Sequence, residues 1–158
     1  MRQIEYKENI TKEIKQILLD NSNIFIDIKF STLIEDTKYA TDFTVNILNK
    51  NIAVRVREPD CKYRDFTIRA KAEYNGRTEI HKIKEGYGDI YLYCWKDINY
   101  KINEYMIIDI NKLRDSDLLN IYRKIIMNND NTGFIYIGIN ELEKENCLLV
   151  KKLLDCCI

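Results

Sequence analysis

Two short segments, Arg55-Val56-Arg57 and Thr67-Ile68-Arg69, carry residue types that can do chemistry, at a spacing that lets them act together. In an extended strand alternate side chains share a face, so Arg55 and Arg57 project to one side, as do Thr67 and Arg69 on the next segment. If those faces coincide, three guanidinium forks and a hydroxyl converge. Each fork grips an oxyanion through two parallel N–H bonds, so the group reads as a receptor for phosphate or carboxylate. The alternative is a solvated sheet face on which Arg55 and Arg57 pair with Glu58, Asp60 and Asp65. Residue usage makes the arginines informative: 17 Lys stand against 8 Arg, and 26 Ile point to a low-GC coding sequence in which Lys is the default cation. Five of the eight arginines fall between Arg55 and Arg77.

Carboxylates nearby raise a second chemistry. Asp42 opens an apolar segment and follows Asp36 by six residues. Joined by Glu58 or Glu79, it has the hard oxygen donors that a divalent cation takes. Otherwise it is a turn or cap aspartate. Glu79 and Lys82 are three apart and share a helix face, as a surface ion pair or as an acid and a cation aimed at the arginines. His81, the single histidine, points elsewhere on that helix and reads as a surface residue. Tyr87, Tyr91, Tyr93 and Trp95 follow; such rings pack sheets or stack bases, and packing is the favoured reading here.

Charge arithmetic locates the feature. Basic and acidic side chains number 25 each over 158 residues, which excludes a uniformly basic surface. Residues 50–84 nevertheless hold ten basic and five acidic side chains, a local excess of five. The length suits one domain, 1–158, with a core of ordinary size. A charged N-terminal segment and the lack of a long apolar run predict a cytoplasmic protein without a membrane partner. The cysteines agree: Cys61, Cys94, Cys147, Cys156 and Cys157 are odd in number and lack C-x-x-C spacing, as expected of reduced thiols.

The elements that must position these residues follow from periodicity. Ile10, Ile14, Ile17 and Leu18 predict a helix over 8–20, and alternation predicts a strand over 24–30. Three strands follow, over 41–48, 52–57 and 66–72, whose short connections suggest an antiparallel meander. Thr78 can cap a helix running to a stop at Gly86, and a strand covers 89–95. Beyond lie a strand over 105–110, a helix over 116–127, a strand over 134–139 and a helix over 140–154. The expected class is α+β or mixed α/β, with a central mixed sheet containing the three-strand meander and flanked by helices. An exposed 105–110 strand would favour an oligomer.

The order helix, three strands, helix, strand over about residues 8–95 is similar to the core of the P-D…(D/E)-x-K nuclease superfamily. That resemblance implies a metal-dependent phosphodiesterase using Mg2+ or Mn2+, with Asp42 and Glu79 as ligands and Lys82 positioning water. The third strand departs from the family pattern by reading Thr67-Ile68-Arg69. The stretch from Arg55 through Arg69 to Ile83 also resembles small uncharacterised proteins of bacteria and their phages. Two expectations follow. One is a phage- or bacterium-derived module binding a nucleic acid, a nucleotide or an acidic protein surface through Arg55, Arg57, Thr67 and Arg69, with a role in interfering with host defence. The other is the nuclease.

Overall fold

A computed structural model describes residues 2–30, 43–74, 76–120 and 123–154, and the chain divides into two compact units, Met1–Lys50 and Asn51–Ile158. In the first unit, helix α1 (Arg2–Asp20) begins earlier than its apolar periodicity suggests. It ends where the Asn21 amide, through both its backbone N–H and its side-chain Nδ2, caps the Ile17 carbonyl. Strand β1 (Ile26–Phe30) then pairs antiparallel with β2 (Phe43–Ile47). Asp42, a proposed catalytic and metal-binding residue, lies outside the described residues, as do Cys156 and Cys157.

The second unit holds the arginines. Its larger sheet runs in the order β3 (Ile52–Arg57), β5 (Ile90–Lys96), β6 (Ile102–Asp109), β9 (Leu148–Leu153). The β3–β5 pair is parallel and the other two are antiparallel, so the sheet is mixed. A smaller antiparallel sheet has the order β4 (Phe66–Lys71), β8 (Gly133–Ile137), β7 (Ile126–Met127). Among the described residues three six-residue helices complete the unit: α2 (Glu79–Lys84), α3 (Ile110–Asp115) and α4 (Ile139–Lys144).

The α+β class and the mixed sheet match the sequence reading; the strand partners do not. The segments expected to meander belong to three sheets, with β2 on β1, β3 on β5 and β4 on β8. Burial explains the choice. Tyr91, Tyr93 and Trp95 share one face of β5, and Phe66 of β4 lies on that face with its ring edge-on to Tyr91 at 5.0 Å and Tyr93 at 5.5 Å. Such pairs add roughly 0.5–1.5 kcal/mol to the area they bury. Strand β4 therefore stacks over the larger sheet instead of extending its edge. Ile68, Ile135 and Ile137 of the smaller sheet and Met106 and Ile108 of the larger join this core. The favoured packing role is thus the observed one for Tyr91, Tyr93 and Trp95, but not for Tyr87, which precedes β5 in a turn and is exposed. The apolar 105–110 segment is the heart of β6, a central strand whose Tyr105–Ile108 side chains are buried.

One predicted helix is replaced and another is cut short, each because a local cap decides the chain direction. The 116–127 region begins with a single 3-10 turn, Asp117–Leu119, and reaches β7 at Ile126. The helix forms earlier, where the Asp109 carboxylate accepts the N–H groups of Asn111 and Lys112 at 2.9 and 3.1 Å. Ser116 ends that helix, donating to the Leu113 carbonyl at 2.8 Å. In the 140–154 region, α4 stops in a Schellman turn. Asn146 takes φ 54°, its N–H bonds Glu143, and Cys147 N–H reaches back to Leu142. The remaining residues pair with β6 as β9.

Candidate anion-binding site

Strand β3 is an edge strand of the larger sheet. Its parallel register sets Arg55 beside Tyr93 and Arg57 beside Trp95, on the face that β4 covers. Arg55 spans the step between the stacked sheets. Its Nη1 donates to the Thr67 carbonyl at 2.9 Å, and its Nη2 pairs with the Glu79 carboxylate at 2.8 Å. The Thr67 hydroxyl bonds the Tyr93 hydroxyl at 2.7 Å.

Glu79 occupies the first position of α2, and three donors converge on it. Oε2 takes Arg55 and the Arg69 backbone N–H at 2.9 Å, and Oε1 takes the Tyr91 hydroxyl at 2.5 Å. Burial and the adjacent Glu79 carboxylate push the Tyr91 phenol well above its ordinary range. Burial alone would lower the Arg55 pKa, but Tyr91 and Glu79 outweigh it and raise it, so the guanidinium stays charged.

Helix α2 is itself fixed at both ends. The Thr78 N–H donates to His81 Nδ1 at 3.2 Å, which gives the exposed histidine a capping role. At the other end Gly86 takes φ 97°, and the N–H groups of Gly86 and Tyr87 bond Ile83 and Lys82 at 3.1 and 3.0 Å. Arg114 of α3 secures this turn by donating to the carbonyls of Ile83, Tyr87 and Gly88.

Stacking β4 over β5 while β3 projects beyond it leaves an open step lined with cations. A cleft of about 290 Å³ is bounded by Arg55, Arg57, Thr67 and Arg69, together with Asn128, Gly133 and Phe134. All four residues read from sequence as ligand-binding meet there. A second cleft, about 460 Å³, shares Arg55 and Arg69 and adds Arg77, Lys82, Glu79 and Tyr87. A third, about 500 Å³, shares Arg55 and Arg57 and adds Cys61, Lys62 and Tyr63, with the carboxylates of Glu58 and Asp60.

The arginines differ in how they are neutralised. Arg55, Arg64, Arg77 and Arg123 pair with Glu79, Glu104, Glu85 and Glu141. Neither Arg57 nor Arg69 forms an ion pair with a carboxylate among the described residues. Arg57 Nε donates to Cys61 Sγ at 3.4 Å. Burial lowers its pKa, the Cys61 bond and nearby Tyr93 raise it, and the net direction is upward. Asp130 is the carboxylate that feels Arg69. Its pKa is lowered first by the Thr132 hydroxyl and backbone N–H, and only lastly by Arg69.

Two of the carboxylates expected to hold a divalent metal, Glu79 and Glu58, are described, and both are engaged by protein donors. Glu79 already accepts three hydrogen bonds, and Glu58 is held by Lys96 Nζ at 2.8 Å to each oxygen. Among the described residues no group of three or more His, Cys, Asp or Glu could hold a metal ion. Lys82 shares a cleft with Glu79 but forms no ion pair with it among the described residues.

The sequence reading did not single out Asn128, Gly133 or Arg77 for this site. Gly133 has a visible structural reason, since a Cβ there would lie 2.6 Å from Ile125. No helix among the described residues is long and apolar enough to cross a membrane. No family model matches the chain, and no curated protein or solved structure matches it.

Proposed function

We propose that this chain is a binding module for a phosphate-bearing ligand, held on the step lined by Arg55, Arg57 and Arg69. One observation carries the reading: Arg57 and Arg69, the two arginines of this face without a carboxylate partner among the described residues, line one cleft. Neither guanidinium is tied up in an ion pair, so an oxyanion in that cleft can accept N–H bonds from both while balancing their charge. Arg55, fixed by Glu79 and Thr67, supplies a preorganised third edge.

Binding is favoured over phosphodiester hydrolysis because Glu79 serves Arg55, Tyr91 and the β4 backbone. The test is calorimetric titration with inorganic pyrophosphate of the wild type and of the Arg57→Ala/Arg69→Ala double variant. Salt-sensitive binding that falls at least tenfold in the double variant supports the reading. Equal affinity of the two proteins, or no binding to either, refutes it.

A further inference from the structure

Resting on that phosphate-binding reading, we infer that the ligand is single-stranded nucleic acid, with phosphates at Arg57 and Arg69 and bases stacked on Tyr63 and Tyr87. The three clefts are neighbours that share lining arginines. The central one shares Arg57 with the cleft that holds Tyr63 and Arg69 with the cleft that holds Tyr87, and Arg55 lines all three. A single small anion would fill one of them. A ligand that fills all three is extended and alternates charged with flat apolar groups.

Both tyrosines suit the flat groups. Tyr63 is 75% exposed and Tyr87 60%, in contrast to the buried rings of Tyr91, Tyr93 and Trp95. Each exposed ring stands on an anchored backbone. The Tyr63 carbonyl accepts the Trp95 indole N–H at 3.0 Å, and Tyr87 sits in the Schellman turn that Arg114 holds. The Arg77 guanidinium covers one face of Tyr87 at 4.9 Å, so a base would take the other face of a ring already polarised by a cation.

Charge placement agrees. The Tyr63 cleft sets the carboxylates of Glu58 and Asp60 against Lys62 and the shared arginines, so it is less cationic than the central cleft, which has three arginines and no carboxylate in its lining. The phosphates then fall on the central cleft. Duplex nucleic acid keeps its bases stacked on one another and offers nothing to the two rings, whereas a single strand presents every base face.

Fluorescence anisotropy on the full chain tests this with labelled oligo-dT and oligo-rU 12-mers, an abasic 12-mer of the same backbone and a 12-base-pair duplex. The inference expects dT and rU to bind at least tenfold more tightly than the abasic strand and more tightly than the duplex. Stacking on one ring is worth roughly tenfold in affinity, so Tyr63→Ala/Tyr87→Ala should bring dT and rU close to the abasic strand, and Tyr87→Trp should retain binding. Equal affinity for abasic and base-bearing strands, tighter duplex binding, or an unaffected tyrosine double variant each overturns the inference. If the abasic strand and pyrophosphate still bind through Arg57 and Arg69, only the single-strand assignment falls; if neither binds, the phosphate reading falls with it.

Discussion

The Arg55 guanidinium lies 2.8 Å from the Glu79 carboxylate, and this pair ties the edge of the larger sheet to the helix that follows the first strand of the smaller one. Both side chains are about a quarter exposed, so the pair is neither a freely solvated bridge nor a sealed one. Its main consequence is directional: Glu79 neutralises Arg55 and leaves Arg57 and Arg69 as the cations facing the central cleft.

Glu79→Gln therefore has two effects of opposite sign. Loss of a hydrogen-bonded charge in a half-buried network should cost about 1–3 kcal/mol of stability, measured by urea unfolding. Pyrophosphate affinity should rise a few-fold, because Arg55 loses its internal counter-charge. A metal-ligand role for Glu79 requires the reverse, with divalent-dependent binding or cleavage lost.

The raised Tyr91 pKa predicts an alkaline limit. A phenol whose folded pKa exceeds its unfolded value of about 10 stabilises the fold fully below that pH and loses the contribution as pH rises above it. Wild-type stability should therefore fall above about pH 10, and Tyr91→Phe, less stable by about 1 kcal/mol at neutral pH, should fall less steeply. Parallel unfolding curves for the two proteins from pH 8 to 11 would contradict this.

Phe66 packs edge-on against Tyr91 and Tyr93 and is fully buried, so Phe66→Ala should cost about 3–5 kcal/mol by thermal or urea unfolding. The loss separates the stacked sheets, so the variant should also lose pyrophosphate binding although Phe66 touches no ligand.

Gly86 tests the aromatic end of the face alone. An added Cβ meets nothing within 4 Å, but φ 97° is costly for any side chain. Gly86→Ala should lose about 1–2 kcal/mol of stability and shift Tyr87, weakening oligo-dT while sparing pyrophosphate. Equal weakening of both ligands would show that the turn supports the cations instead.

The local elements around the site were legible in the sequence because its signals are local. Alternation placed β3 at Ile52–Arg57 and β4 from Phe66, and the Arg-x-Arg and Thr-x-Arg spacings put each pair on one face. What periodicity does not carry is partner choice. Strands β3 and β5 are separated by the whole of β4 and α2, and their parallel pairing rests on the burial of Tyr91, Tyr93 and Trp95 beneath Phe66. The arginines therefore converge across a stacked step and not along a meander. Glu79 was legible as an acid aimed at the arginines, but which arginine it holds was not, since Arg55 lies 24 residues away. The helix expected over 116–127 gave way to Asp109 and the one over 140–154 was cut short at Asn146, where a cap outweighs an apolar stripe.

The central claim is most directly tested by following the arginine Nε–Hε resonances by NMR during pyrophosphate titration, with assignments from single Arg→Lys variants. Saturable shifts are predicted for Arg57 and Arg69, with Arg64 and Arg123, already paired to Glu104 and Glu141, unmoved. Shifts of the paired arginines alone, or of none, would contradict the assignment of this face as an oxyanion site.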